Sequence, residues 1–211
     1  MKDKILIVVA LKSEYDKFIP ENCEFIYTGV GKVNASYSLT KKLESMKELP
    51  TEIINYGTAG SKDLIIGDIV DCTKFIQRDM YLKEFGLNPG ETAFEFDKYE
   101  ENEPPVILDF HDTKITNPIK KQYLCASGDS FVTNFDQGLI DIENTYNEKI
   151  SVIDMEAYAL AKICFIYKIP FISFKYITDN LNSTGINDWE KNVSLGAEKF
   201  ETLLKRSYKN V

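Results

Sequence analysis

Three acidic residues stand where apolar stretches of the chain end. Glu14 follows the run Ile5–Ala10, Glu156 closes the turn Asp154-Met155-Glu156 after Ser151–Ile153, and Asp179 closes Phe171–Thr178. A carboxyl group at such a place can hold or release a proton near neutrality, because burial raises its pKa and hydrogen bonds lower it. The pattern therefore suits general acid–base chemistry. It equally suits helix capping, since a carboxylate is stabilised by the free N–H groups that open a helix. Position alone leaves both readings open.

Three further stretches could carry chemistry. Gly57-Thr58-Ala59-Gly60-Ser61 would bring backbone N–H groups and a hydroxyl close to a ligand. Ser127-Gly128-Asp129-Ser130-Phe131-Val132 offers an aromatic face on which a flat ring can stack. Gly29-Val30-Gly31-Lys32 ahead of a helix could cradle a phosphate, but it lacks the third glycine of a dinucleotide turn.

The elements that must position these residues follow from periodicity. Ile5–Ala10 is a continuous apolar run, as in a strand buried on both faces, and Glu14–Phe18 reads as a short helix. Strands are expected at Glu24–Thr28, Glu52–Tyr56, Gly67 to about Gln77, Val106–Phe110 and Gln122–Ala126. Helices are expected from Val33 to about Lys47 and over Asp136–Tyr146. Ser151–Ile153, a helix to about Tyr167 and Phe171–Thr178 make a strand–helix–strand unit, and open α/β sheets bind ligands beyond the carboxyl ends of their strands. A single amphipathic helix is expected from Asn187 to about Tyr208, with Trp189, Val193, Ala197, Phe200 and Leu204 on its core face. The segment from Arg78 to Asp112 shows no clear period, as in a long functional or interface loop.

Composition removes several function classes. The 211 residues, 44% hydrophobic and 12% aromatic, suit one domain spanning 1–211. A net charge of −8 argues against nucleic acid and anionic membranes as partners. No stretch approaches the roughly 18 apolar residues of a membrane span, and Ile5–Leu11 is too short for a signal peptide. Cys23, Cys72, Cys125 and Cys164 are widely spaced in apolar settings, as reduced core cysteines of a cytoplasmic protein would be. With His111 the only histidine, a histidine triad or multi-histidine metal site is not expected, and no cofactor is.

D-M-E-A-x-A-x-A at 154–161, a strand ending in Thr178-Asp179, G-T-A-G-S at 57–61 and S-G-D-S-F-V at 127–132 together resemble the purine nucleosidase and nucleoside phosphorylase family. The resemblance is nearest to the branch that hydrolyses 5′-methylthioadenosine and S-adenosylhomocysteine, and it runs from Ile5 to about Thr184. It implies a three-layer α/β/α fold with a mostly parallel central mixed sheet. It also implies roles: Asp179 as acid at the purine beside Thr178, Met155 and an ionised Glu156 at the ribose, Glu14 on the attacking water, and Thr58, Ala59 and Gly60 facing ribose and nucleophile. Phe131 would stack on the base and the Val132 backbone would meet the purine edge. Lys175 stands where the family carries an arginine near the water. A homodimer is implied, with Met80 or Phe85 reaching the partner's pocket.

Phosphorylases of that family hold phosphate with several arginines, whose planar charged fork suits the dianion. Only Arg78 and Arg206 occur here, and neither lies in the early glycine-rich turn. The expectation is therefore hydrolysis of a 5′-modified adenine nucleoside with release of adenine. The alternatives are a phosphorylase, a non-catalytic nucleoside-binding protein, and a generic nucleotide-binding domain using Gly29–Lys32.

Overall fold

Short apolar runs alternating with helix-forming stretches build a layered α/β structure, described by the computed structural model for residues 4–93, 95 and 104–208. In chain order the strands are β1 (Ile5–Val9), β2 (Cys23–Tyr27), β3 (Glu52–Gly60), β4 (Ile69–Gln77), β5 (Leu108–Asp109), β6 (Tyr123–Ser127), β7 (Ile150–Asp154) and β8 (Phe171–Asp179). The helices are α1 (Lys32–Ser45), α2 (Gln137–Tyr146), α3 (Ala157–Tyr167), α4 (Gly185–Asn192) and α5 (Ala197–Ser207).

The sheet is mixed and mostly parallel. β1 pairs in parallel with β2 and β3, β3 with β8, and β4 and β7 with β6, while β4 runs antiparallel to β5 and β8. One antiparallel contact, Gly60 to Ile153, joins β3 to β7. Strands β3, β8, β4, β6 and β7 therefore form a closed ring from which β1 and β2 extend. Helices cover both faces: α1 and α3 pack on one side around Leu39, Leu160 and Phe171, and α5 packs on the other around Tyr15, Tyr56 and Phe200. Fully burying a side chain of this size is worth about 1.5–3 kcal/mol, so two such layers hold the strand ends in fixed places.

Several local expectations are corrected. Glu14–Phe18 is not a helix: Glu14 ends a turn and the residues after it are irregular. β3 does not break at Gly57 but continues to Gly60, because β8 pairs with it throughout. Regular pairing in the Val106–Phe110 stretch is limited to Leu108–Asp109. The expected last helix is two, α4 and α5, with turns at 193–196 between them. At Gly196, a Cβ would come within 2.4 Å of both Tyr56 and Tyr176, so the chain packs there too closely for any side chain. The expected loop from Arg78 to Asp112 lies partly outside the described residues; its visible parts include a 3-10 turn at Lys83–Phe85. Among the described residues no helix is long and apolar enough to cross a membrane.

Candidate active site

A cavity of about 340 Å3 opens beyond the carboxyl ends of β1, β3, β7 and β8. Four carboxylates line it: Glu14, Asp154, Glu156 and Asp179. All four are buried.

Glu14 is held by a turn that closes on itself. Its backbone N–H donates to Leu11 O at 3.1 Å, and the Leu11 N–H donates back to Glu14 Oε2 at 3.0 Å. Across the cavity floor, the Thr58 N–H and hydroxyl both donate to Glu14 Oε1 at 2.8 Å. The Trp189 indole N–H in turn donates to Thr58 Oγ1 at 3.0 Å. Gly57 makes room for this cluster, since a Cβ there would stand 3.3 Å from Glu14 Oε1 and 3.2 Å from Lys175 Nζ.

Asp179 owes its place to a bulge. Ala59 pairs with Ile177 and Gly60 with Asp179, so Thr178 is an extra residue in β8 that resets which face the next side chain takes. The Leu181 N–H donates to Asp179 Oδ1 at 3.1 Å, and the Thr178 hydroxyl lies 3.0 Å from Oδ2. A Cβ on Gly60 would fall 2.6 Å from Asp179 Oδ1, which only glycine avoids. Burial raises the Asp179 carboxyl above its ordinary range, against the lowering effect of those two hydrogen bonds. A carboxyl so placed can carry a proton to a leaving group.

Asp154 and Glu156, two residues apart, are in opposite states. Burial pushes Asp154 up, but the Lys175 charge at 2.7 Å, the Ser127 hydroxyl at 2.5 Å and the Ala157 N–H at 2.9 Å outweigh it and hold the carboxyl low. Glu156 accepts the Gly31 N–H at 2.8 Å, yet burial and then the Asp154 charge push it up to about 8. Against the expectation of an ionised Glu156, these surroundings favour the protonated carboxyl.

The sequence-derived residues divide in two. Glu14, Thr58, Ala59, Gly60, Phe131, Val132, Met155, Glu156, Thr178 and Asp179 all line the cavity. Phe131 sits at its rim, 40% exposed. Lys175 does not line it: its ammonium lies behind the floor, fully buried, because Asp154 supplies the counter-charge there. Met80 and Phe85 do not line it either, and Phe85 is 68% exposed on the 3-10 turn. The glycine turn at 29–31 is directed at protein carboxylates rather than phosphate, since Gly31 N–H meets Glu156 and Lys32 N–H meets Asp129 Oδ1 at 2.7 Å. Asp154, Leu181, Ile186 and Trp189 were not singled out as site residues, yet they line the cavity. Helical spacing puts Trp189 on the core face of one continuous helix, whereas its place ten residues beyond Asp179 is the signal for the cavity.

A family model described as the phosphorylase superfamily matches residues 25–209. A protein of Buchnera aphidicola subsp. Schizaphis graminum named 5′-methylthioadenosine/S-adenosylhomocysteine nucleosidase is 31% identical over 194 residues, covering 88% of this chain and 78% of its own length. One of the same name from Haemophilus ducreyi is 29% identical over 202 residues, covering 94% and 85%. Among solved structures, S-adenosylhomocysteine nucleosidase from Streptococcus pyogenes in complex with 5-methylthiotubericidin superposes with a TM-score of 0.77 at 21% identity, covering 100% of this chain and 98% of that one.

Proposed function

The chain belongs to the phosphorylase superfamily, and from that premise we propose that it hydrolyses the N-glycosidic bond of a 5′-modified adenine nucleoside, of the methylthioadenosine or S-adenosylhomocysteine type, releasing adenine. Two relatives in two organisms bear the corresponding name. The observation that carries water rather than phosphate as the nucleophile is the lining of the cavity: four carboxyl groups line it, and among the described residues no lysine or arginine does. A phosphate dianion would find no cationic fork there to hold it. Arg78, one of two arginines, is turned to the Ser130 and Gly128 carbonyls.

In this reading Asp179, its pKa raised by burial, protonates the purine so that the base leaves neutral. Positive charge grows on the ribose at that moment. Glu156 bonds the ribose hydroxyls, and the cationic sugar draws its carboxyl back toward the ionised form that offsets the charge. Glu14, its oxygens fixed by three donors, orients the water. Phe131 and the Val132 backbone hold the base. Lys175 acts on Asp154 from behind the floor instead of on the water.

One domain over the whole chain would carry this activity. The four unpaired cysteines support a cytoplasmic setting. Val30, Val33 and Tyr37, exposed by 40%, 77% and 63% at the cavity mouth and along α1, support a homodimer in which Phe85 or Met80 reaches the partner; a mass near 24.2 kDa by light scattering would remove the dimer.

The test is product analysis with methylthioadenosine, S-adenosylhomocysteine, adenosine and inosine, with and without phosphate. Adenine and free sugar are expected without phosphate, with Asp179→Asn and Glu14→Gln each lowering kcat by roughly 10²–10⁴. Phosphate-dependent release of a sugar 1-phosphate would overturn hydrolysis.

A further inference from the structure

Trp189 is the chain's one tryptophan, and its indole N–H is spent inside the cavity, on Thr58 Oγ1 at 3.0 Å. An indole N–H can only donate, whereas a hydroxyl has one proton and two lone pairs. With a lone pair of Oγ1 taken by the indole, the Thr58 proton is directed away from the ring. It points to Glu14 Oε1, 2.8 Å away. The same carboxylate accepts from Thr58 N and Leu11 N, so three of its roughly four acceptor positions are occupied by the protein. One remains for a water.

We propose that Trp189 is a positioning residue for the hydrolysis, its indole N–H fixing the Thr58 hydroxyl as a donor to Glu14 and so aiming the one free lone pair of that carboxylate at the attacking water. The relay rests on the hydrolase reading above. Chained hydrogen bonds of this kind also polarise one another in a buried setting. α4 holds the indole in place from two points of one face. Three residues on from Trp189, the Asn192 side chain donates to Thr178 O at 3.0 Å, which ties the helix to the strand that carries Asp179. Gly185, at the start of α4, lies beside both the acid and the ring: a Cβ there would stand 3.4 Å from the Phe131 ring and 3.5 Å from Asp179 Oδ1, ordinary contact distances. The short helix thus touches the acid, the base-stacking ring and the water-orienting relay together.

Trp189→Phe keeps an aromatic wall and removes only the donor. Its kcat for adenine release is expected to fall about tenfold with KM changed less than about threefold, because the interaction matters to the reacting water more than to bound substrate. Thr58→Val tests the same relay from its middle and on a different element, β3, so the test survives a poorly folding tryptophan variant; it should lower kcat at least as much, while Thr58→Ser restores it. Adding Trp189→Phe to Thr58→Val should cost nothing further, since both cut one chain. Wild-type kcat in Trp189→Phe, or losses that multiply in the double variant, would overturn the relay while leaving the hydrolase reading intact. Failure of the wild-type chain to release adenine would overturn both.

Discussion

The floor and the rim of the cavity are built on different terms. On the floor, each carboxylate projects from a strand end or the turn after one, is buried, and has named donors: Leu11 and Thr58 for Glu14, Leu181 and Thr178 for Asp179, Ser127, Ala157 and Lys175 for Asp154. The rim is loop and short helix, where Phe131 is 40% and Ile186 53% exposed. Rigid donors are valuable where charge changes during the reaction, because nothing has to reorganise. Exposed apolar side chains suit contact with a substrate that enters and leaves. Changes to the floor should therefore alter stability, protonation and turnover, and changes to the rim should alter binding.

The largest expected effect tests the floor. Lys175→Met strands the Asp154 charge in a buried site, and breaking such a pair from one side costs about 3–5 kcal/mol; urea unfolding would register it. If stability were unchanged, the pair would not be what holds the floor. A smaller effect concerns Glu156. Its folded carboxyl keeps a proton up to about pH 8, whereas the unfolded one releases it near 4.5. Between those values the native state binds the extra proton, so this group's stabilisation is lost as pH rises, with a slope of at most about 1.4 kcal/mol per pH unit. Unfolding measured from pH 5 to 8 should show a shallower decline in Glu156→Gln than in the wild type, and identical slopes would contradict the protonated state. The smallest effect belongs to the rim. Phe131→Leu should raise KM about tenfold with kcat nearly unchanged, as loss of stacking on the base would. A fall in kcat instead would make the ring part of the floor.

That division also marks what the sequence reveals. Floor residues are legible because burial dictates them: Ile5–Val9 and Phe171–Asp179 are apolar runs with an acid at or just past the end. Glycines misled. Gly57 and Gly60 read as strand breakers, but they lie within β3, paired with β8, and are glycines because Glu14, Lys175, Asp179 and Leu181 fill the space a Cβ would take. Asp154 accepts the Ala157 N–H as an acid at a helix start does; its second duty, the ion pair with Lys175, depends on a contact 21 residues away that no local pattern encodes. Trp189 was hidden for a related reason. Its 3.6-residue spacing with Val193 and Ala197 is real in the letters, but the turns at 193–196 end that helix and set the indole over the cavity.

The closed ring of strands bears on how the protein keeps from sticking to itself. Among the described residues, strands β3, β8, β4, β6 and β7 each have neighbours on both sides, β3 and β7 meeting at the single pair Gly60–Ile153, so the ring leaves the segments that carry the floor little free ladder for another chain. Among the described residues, open edges are left at β2 and at the two-residue β5. β2 presents Glu24 there, clasped between Lys4 and Lys42, and inserting a foreign strand beside that edge would mean desolvating three charges. The open edge at β2 is thus guarded by a few surface ions at the far end of the sheet, while the acidic residues of the cavity sit on strands that the ring already pairs.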